Sequence, residues 1–446
     1  MIKRFYKKII SSTKNKVVRN IGLVAGLALL AKLVSFYKET LVSSSFGLST
    51  LLDTYHLAIL IPSFIQMISL KALKNLFVPN YVREMKTTKE LGSFQSFVFS
   101  TISVLFVSLS ILTLIFSLFL EYFFSGHTIE YYLLLRKQLY LVIPCILLWG
   151  VSSILSGLLE IHSKFFYSTV VIFFTPLVTI INVIFFKDFF GDTVLVWSML
   201  IGTILSTTLL FLFARKYDLI KIGKPRINDN IKEMIKQYPP KIVSGLLSGA
   251  NPFIDQFFAA QLVVGSIASI NYGVKLPTIA IGILMMAIGN VFLPYFSKAF
   301  VTDRKKAYHR LFKILAIIFT GSFLITLVFF IWSYDIIEIL FERGEFTSKD
   351  TMVVSSIQKI AFLYVPFYLC ILVCVKFLTA ANENKFMAWV SFFNLFVNLI
   401  MNFVLVEKYG LYGLVISTTV VYIISSIIYF TYTYNGYKKY VSTIEE

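Results

Sequence analysis

Three charged residues lie in an apolar stretch near the start of the chain, where a membrane span would otherwise be expected. In "AKLVSFYKET", Lys32, Lys38 and Glu39 would each cost about 2.5–3.5 kcal/mol to place in hydrocarbon. Lys32, Ser35 and Glu39 are spaced by three and four residues, so they share one stripe of a helix. These charges must therefore face water, protein or the membrane boundary. Lysines with a nearby carboxylate suit a cationic cavity wall with an internal carboxylate.

Charged residues inside apolar stretches also occur farther along the chain, and each has two interpretations. In the first, Asp53, Lys71 and Lys74 face the same cavity as the lysines of the first stretch. In the second, long side chains bring their charges to the membrane surface. The surface interpretation applies to Lys38, Glu39 and Asp53 at the outer boundary, and to Lys71 and Lys74 at the inner boundary.

The composition indicates a polytopic membrane protein. Of 446 residues, 57% are apolar and 14% are charged, and apolar runs of about 20 residues follow one another. The formal net charge is +18, but the basic residues lie between the apolar runs and do not alternate with aromatic residues on one soluble face. This pattern argues against a nucleic-acid partner. The apolar run from Ile21 is not followed by a cleavage-site pattern, so we expect a retained first helix.

The expected fold is all-α, with 12 transmembrane helices. Alternate connections between the apolar runs carry most of the Lys and Arg residues, and the positive-inside rule places these connections and both termini in the cytoplasm. The expected spans are residues 20–44, 50–82, 94–122, 131–160, 165–186, 193–214, 239–264, 268–299, 308–333, 352–381, 385–406 and 410–434.

An internal repeat divides the chain into two halves. The stretches "IPSFIQMISLKALKNLFVP" and "LPTIAIGILMMAIGNVFLP" align at a constant offset of 215 residues. The matching pairs are Pro62 with Pro277, Asn75 with Asn290, Phe77 with Phe292, and Pro79 with Pro294. Each half has an even number of spans, so the repeat is parallel, with an axis along the membrane normal. We expect a cleft between spans 1 and 2 of one half and spans 7 and 8 of the other.

The repeat also predicts the domain boundaries. Two six-helix bundles, residues 20–214 and 239–435, are joined by a basic cytoplasmic linker at residues 215–238. Residues 1–19 form a basic cytoplasmic N-terminus and residues 436–446 a cytoplasmic tail. Asp255, in "NPFIDQFFAAQL", lies near the repeat counterpart of Glu39. Asp255 is thus predicted to pair with Lys275 or to couple an ion, unless nearby hydroxyls and amides satisfy it.

The run "KLVSFYKETLVSSSFGLSTLLDTYHLAILIP" resembles the first two helices of the MviN/MurJ lipid II flippases, in the multidrug/oligosaccharidyl-lipid/polysaccharide exporter superfamily. The loop "LFERGEFTSKD" is similar to that family's loop at nearly every fixed position. Arginines of the family correspond here to Lys32, Lys38 and Lys275, which keep the charge but lose the planar fork suited to a diphosphate. Most of those flippases carry two more C-terminal helices than the twelve expected here. Twelve helices are usual for the related polysaccharide repeat-unit exporters.

The resemblance implies a flippase that moves an undecaprenyl-diphosphate-linked glycan, either lipid II or a surface-polysaccharide repeat unit, to the outer leaflet by alternating access. It implies the bacterial inner membrane, and we expect a monomer among membrane lipids. The implied substrate-binding residues are Lys32, Lys38, Lys275 and Asp53, the charge-pairing or coupling residues are Glu39 and Asp255, and a possible outer gate contains Glu342, Arg343 and Asp350.

Two other functions stay open at the level of sequence. A cation-coupled drug antiporter of the same superfamily would need acidic and aromatic residues in its cavity, of which Asp255 is one candidate. A membrane-embedded transferase would need a catalytic constellation, but the four histidines are scattered, so we expect a transporter and not an enzyme. The sequence has no ATP-binding P-loop, no metal site and no cofactor site. The resemblance makes coupling to Na⁺, H⁺ or the membrane potential plausible.

Overall fold

The computed structural model describes the backbone of residues 16–445. Side chains are described except at residues 16–21, 247–248, 286–287, 289–290, 301 and 443–445. Most of the predicted basic N-terminus and the side chain of Asn290 in the repeat therefore lie outside the described residues. Within residues 16–445 the chain is helical and forms no strand. The predicted all-α class is confirmed.

Apart from the single turn Leu120–Phe123, the described residues form fourteen helices, and each of the predicted spans overlaps at least one of them. Some contain a short irregular turn: α2 a π turn, and α5 and α6 a 3₁₀ turn each. The fourteen helices are α1 Lys16–Phe46, α2 Thr50–Lys86, α3 Leu91–Leu118, α4 Ile129–Ile161, α5 Phe165–Phe185, α6 Lys187–Lys216, α7 Asp229–Ala259, α8 Ser266–Gly273, α9 Lys275–Thr302, α10 Arg304–Ile331, α11 Ser333–Phe341, α12 Ser348–Ala380, α13 Asn384–Tyr409 and α14 Leu411–Glu445.

Nine helices of the described chain are long and apolar enough to cross a membrane, namely α2–α6, α10 and α12–α14. A tenth is formed by α8 and the first part of α9 if this pair, bent by 41°, counts as one span. The helix α1 is outside this set and carries Lys32, Lys38 and Glu39. The multi-pass class is therefore confirmed, whereas the number twelve stays a prediction.

The chain packs as two compact units. Unit 1 comprises Met1–Ser45 and Thr54–Gly249, and unit 2 comprises Phe46–Asp53 and Ala250–Glu446. The boundary in the second half of the chain falls inside α7, and the short connection from α1 to α2 belongs to unit 2. The predicted cleft between the sequence halves stays a prediction.

The irregular turn of α2 packs against small residues of α7 within unit 1. Pro62 removes a helical hydrogen bond, and the π turn Gln66–Leu70 follows it. A Cβ atom added to Gly249 would lie 1.7 Å from Cε of Met67. Only glycine permits this close approach without moving Met67.

Aromatic rings and one glutamine organise the core of unit 1. Phe77, Tyr81 and Phe94 are buried, with ring centroids 5.1 to 6.0 Å apart. Gln95 donates to the hydroxyl of Tyr81 at 2.7 Å and to the carbonyl of Leu219 at 2.9 Å. The segment after α6 is thereby held against the start of α3. Because lipid is as apolar as these rings, close packing stabilises this core more than removal from water does.

A second aromatic cluster organises unit 2. Phe341 and Phe346, which flank the loop after α11, contact the buried ring of Tyr272 in α8 at 5.2 and 5.9 Å. The ring of Phe377 in α12 lies 5.2 Å from Phe296 in α9. These contacts hold α8 against α11 and the loop after it, and α9 against α12.

Candidate functional site

The charged centre of unit 1 is an ion pair between neighbours on α1. Lys38 Nζ lies 2.8 Å from a carboxylate oxygen of Glu39, and the two side chains are 18% and 13% exposed. Neighbouring residues on a helix point about 100° apart, so the lysine chain must bend back to reach the carboxylate. Removing either partner would leave the other charge uncompensated in a poorly hydrated place.

The surroundings of this pair include the ring of Tyr55 and an apolar cluster. Tyr55 of α2 is close enough to interact electrostatically with both charges. It packs, with Ile59, on a buried cluster from α4 and α6 that includes Val142, Cys145 and Val196. The pair thus has little bulk water around it, which strengthens its interaction with any charged ligand.

The other lysines of the first two helices have different environments. Lys32 is half-buried and Lys71 is exposed. Lys74 donates to a carboxylate oxygen of Glu160 at 2.8 Å and to the hydroxyl of Ser156 at 2.9 Å. The ion pair to α4 gives Lys74 a structural partner, so it does not depend on a substrate to compensate its charge.

Asp53 holds the N-terminus of α8. One carboxylate oxygen accepts from the N–H of Gly265 at 2.6 Å, the other accepts from the N–H of Ala268 at 2.9 Å, and the residue is 2% exposed. The first turn of a helix leaves such amides without a helical partner, and its dipole favours an anion there. Sequence reasoning places Asp53 beside the cavity lysines, whereas here both of its oxygens bind backbone amides of unit 2.

A glycine sets the path of the chain just before Asp53. Gly47 has a φ of +54°, and a Cβ atom added to it would lie 2.5 Å from the carbonyl oxygen of Glu345. Gly265 has a φ of +93°, and its Cβ would lie 3.0 Å from the carbonyl oxygen of Leu48. Both positions require glycine for conformation and for space. The "FG" before Asp53 is therefore the turn that brings the carboxylate to α8.

Lys275 is the first residue of α9 and is half-buried. It follows Val274, at which the chain bends between α8 and α9. The helix whose N-terminus Asp53 binds therefore leads directly to this lysine. Asp53 positions α8, and Lys275 begins the next helix, α9, two residues after α8 ends.

The carboxylate of Asp255 on α7 is held by neutral groups from α13 and α14. Its Oδ1 accepts from the side-chain amides of Asn398 at 3.1 Å and Asn402 at 2.7 Å, and its Oδ2 accepts from the hydroxyl of Thr418 at 2.9 Å. Amides and a hydroxyl thus occupy both oxygens of this half-buried acid.

A cavity of about 360 Å³ adjoins this carboxylate within unit 2. Its wall includes Asp255 and the rings of Tyr364, Tyr368 and Tyr422, of which Tyr422 contacts the other two at 5.1 and 4.9 Å. Oδ1 of Asn402 is buried and has no hydrogen-bond donor among the described groups. The carboxylate of Asp255 lines the cavity, and Asn402 lies behind it, outside the lining. Carboxylate and amide oxygens are ligands of the kind that hard cations prefer.

Comparison with known proteins decides the family. A family model described as "Lipid II flippase MurJ" matches residues 42–443 of this chain. The chain belongs to the MurJ family. The resemblance expected from the sequence is thereby confirmed. The match begins after α1 has passed Lys32, Lys38 and Glu39, so it says nothing of these three residues.

Two relatives that this chain covers to 80% of their length support the assignment to the MurJ family. A protein of Buchnera aphidicola subsp. Acyrthosiphon pisum, named "Probable lipid II flippase MurJ", is 24% identical over 417 residues, which cover 89% of this chain and 80% of that protein. A Rickettsia prowazekii protein of the same name is 23% identical over 416 residues, with coverage of 89% and 80%.

Solved structures show the same fold. A structure described as "Lipid II flippase MurJ, inward closed conformation" matches with a TM-score of 0.79 at 23% identity, over 93% of this chain and 87% of that one. An inward-facing multidrug resistance MATE family transporter matches with a TM-score of 0.76 at 11% identity, over 92% and 95%. The chain therefore has the transporter fold that the MurJ and MATE structures share.

The loop "LFERGEFTSKD" of this MurJ-family chain is held by local hydrogen bonds. Asp350 Oδ2 accepts from the N–H and the hydroxyl of Thr347 at 2.8 and 3.0 Å, which caps α12. Glu342 accepts from the hydroxyl of Thr351 at 2.6 Å, and Arg343 donates to a carbonyl of α11 at 2.8 Å. Each residue thus shapes the loop, and the outer gate stays a prediction.

Sequence reasoning missed the residues that surround Asp255. Asn394, Asn398 and Asn402 recur every four residues in an otherwise apolar helix, "NLFVNLIMN". This spacing forms one polar stripe, and polar side chains inside a span are expensive unless they have partners. The stripe is therefore the signal that predicts a polar site on α13 of a MurJ-family chain.

Proposed function

We propose that this chain moves a lipid-linked glycan, lipid II before any other, from the inner to the outer leaflet of the bacterial cytoplasmic membrane. The observation that carries the proposal is the family match across residues 42–443. In this proposal the chain is a transporter and not an enzyme, works as a monomer by alternating access, and has both termini in the cytoplasm. The excess of basic residues on alternate connections supports this orientation.

The chemistry of the cargo requires a cationic site. A diphosphate and its sugars cannot cross hydrocarbon without replacement of their water. Lys32 and Lys38 on α1 and Lys275 at the start of α9 supply positive charge. They would contact phosphate oxygens as point charges, without the paired geometry of arginine.

The Lys38–Glu39 pair would act as the exchangeable part of this site. With no cargo bound, Glu39 compensates the lysine at 2.8 Å. An arriving phosphate would compete for the same ammonium and release part of that interaction. Such exchange limits the cost of keeping a cation in the membrane between transport cycles.

Asp53 would act on Lys275 through α8 and not by direct contact. Its two bonds to the amides of Gly265 and Ala268 fix the start of the helix that leads to Lys275. We therefore assign Asp53 a positioning role. The residues Glu342, Arg343 and Asp350 would act as an outer gate only if their loop loses its local bonds during the cycle.

Asp255 would couple transport to a cation or to a proton. Its carboxylate, the buried Oδ1 of Asn402 and the hydroxyl of Thr418 form an oxygen-rich set that fits Na⁺. A bound cation supplies positive charge that lets the amides of Asn398 and Asn402 rotate away from the carboxylate. Protonation of Asp255 would weaken the same three hydrogen bonds, since it removes the negative acceptor.

The test is complementation of a bacterial strain depleted of its essential lipid II flippase. We expect growth with this gene and none with the empty vector. We also expect lipid II to become accessible to a membrane-impermeant probe added from outside. Survival without outward lipid II, or no growth despite normal accumulation of the protein, would refute the proposal and favour a polysaccharide repeat unit or a drug as cargo.

A further inference from the structure

An apolar groove of about 500 Å³ lies between α10, α12 and α14 in unit 2. Its lining consists chiefly of Phe312, Phe319, Phe430, Tyr434, Cys370 and Cys374. The two cysteines are 8% and 2% exposed and form the floor, whereas Phe430 and Tyr434 are 48% and 41% exposed and form a rim. The volume is in the range of about 300–1,000 Å³ that is typical of small-ligand sites. The groove can therefore hold an aliphatic chain.

One end of the groove is basic, and two aromatic residues belong to both regions. Tyr434 lines the groove, and Nζ of Lys438 lies 4.9 Å from the centroid of its ring. Phe312 also lines the groove and contacts the ring of Tyr437 at 5.8 Å. The hydroxyl of Tyr437 lies 3.4 Å from Nε2 of His309. The apolar and the polar parts are thus continuous.

A second lysine lies on the same face of α10. Lys305 is four residues before His309, and its carbonyl oxygen is 3.0 Å from Nδ1 of that histidine. Residues four apart on a helix are neighbours on its surface. Lys305 and Lys438 are both exposed. Lys306, by contrast, pairs with Asp303 at 3.2 Å and lies on another face of the helix.

We propose that the groove binds an anionic glycerophospholipid. One acyl chain lies in the groove over Cys370 and Cys374, beside the contacting rings of Phe312 and Phe430, and the phosphate lies near Lys438 and Lys305. The proposal goes beyond the transport function, because the cargo phosphate is assigned to Lys38 and Lys275. The lipid is a resident one, and its negative charge complements the basic end that a neutral lipid would leave uncompensated.

Tryptophan quenching by brominated lipids tests this proposal directly. The variant Ile427→Trp places the probe on a groove residue that is 58% exposed. It is reconstituted in phosphatidylcholine vesicles with increasing brominated phosphatidylglycerol or brominated phosphatidylcholine, and the unsubstituted chain supplies the background of the native tryptophans. We expect tighter binding of the anionic lipid. Lys438→Ala and Lys305→Ala in this background should each weaken it about fivefold.

Matched variants separate binding from loss of structure. Lys306→Ala should leave the preference unchanged, while Ala316→Phe, which fills the groove, should abolish it. Thermal unfolding of each variant checks that it is folded. Equal quenching by the two lipids, or an unchanged preference in Ala316→Phe, overturns the proposal. So does displacement of phosphatidylglycerol by equimolar undecaprenyl phosphate, since the groove would then belong to the carrier lipid.

Discussion

The two units each hold a carboxylate on a long helix, Glu39 on α1 and Asp255 on α7, but the two acids have different kinds of partner. In unit 1, Glu39 is compensated by the lysine beside it at 2.8 Å. In unit 2, Asp255 accepts hydrogen bonds from two amides and a hydroxyl, all of them neutral. A charge pair leaves little net charge, whereas an acid held by neutral donors keeps its negative charge when ionised. The first site is suited to an incoming anion and the second to a cation or a proton.

The polar residues around these acids show how the repeat diverged. Asn182 and Ser198 of unit 1 precede Asn402 and Thr418 of unit 2 by the same 220 residues. In unit 1 the amide of Asn182 donates to the hydroxyl of Ser198 at 3.1 Å. In unit 2 both counterparts donate to Asp255. An amide and a hydroxyl are therefore present at corresponding positions of both units. In unit 2 both donate to Asp255, and this carboxylate makes the position a candidate ion site.

The largest expected effect comes from removing a lysine that is proposed to bind the anionic cargo. Lys38→Ala should abolish complementation of a flippase-depleted strain while the protein still accumulates in the membrane, because Glu39 would then repel phosphate. Lys32→Ala and Lys275→Ala should have the same result. Growth of the depleted strain and immunoblots of its membranes measure both quantities.

Two controls decide whether charge at these positions is the cause. Lys→Arg at each of the three sites should be tolerated, since it preserves the charge. Lys359→Ala, at a half-buried position of α12, should do little. Normal growth with Lys32→Ala and Lys275→Ala, or loss of growth only where the protein no longer accumulates, would make the charges structural.

The next largest effect is expected at Asp255, the candidate site for a cation or a proton. Asp255→Asn keeps the shape and one acceptor oxygen for the amides of Asn398 and Asn402, its NH2 can donate to the hydroxyl of Thr418, and the negative charge is removed. We expect transport to fall and its dependence on sodium and pH to disappear, as measured by uptake in vesicles with imposed ion gradients. The matched control is Asn182→Ala in unit 1, which should affect stability and leave the ion dependence unchanged. If Asp255→Asn preserves both rate and dependence, Asp255 is only a satisfied buried acid.

The sequence predicts elements of this fold better than the partners of its charges. Apolar runs and the positions of basic residues locate the helices because each span must satisfy its own backbone in lipid. The spacing of Lys38 and Glu39 directs their side chains about 100° apart, so their pairing at 2.8 Å is known only from the structure. The partner of Asp53 is different, because its bonds to Gly265 and Ala268 join residues more than 200 positions apart. Such contacts depend on packing that no local pattern encodes.

Two short sequence patterns mark structural features that are understood only from the folded chain. The "FG" before Asp53 marks a turn whose close approach to Glu345 only glycine permits. The repeated asparagines of α13 mark the polar side of that helix, with Asn398 and Asn402 on Asp255. Spacing identifies the stripe, but only the folded chain identifies the acid that it faces.

A smaller effect separates the two acids of unit 2. Asp53→Ala leaves two buried amides without an acceptor, which should cost about 1–3 kcal/mol in each case. We expect a marked loss of thermal stability, measured in detergent, with transport falling in proportion to the amount of folded protein. Asp255→Asn should show the reverse pattern, with transport lost and stability kept. A stable, inactive Asp53→Ala would instead give Asp53 a direct role with the cargo.

The smallest effects concern the lysines whose cavity and boundary interpretations the sequence left open. Lys74 pairs with Glu160, but the side chains are 25% and 35% exposed, so screening limits the pair to at most about 1 kcal/mol. Lys74→Ala should therefore lower the unfolding temperature slightly and leave complementation intact. Lys71 is exposed, and Lys71→Ala should change neither quantity measurably. If either variant abolished growth at normal protein levels, the cationic site of unit 1 would extend from α1 along α2, and its lysines would number more than the family's arginine positions predict.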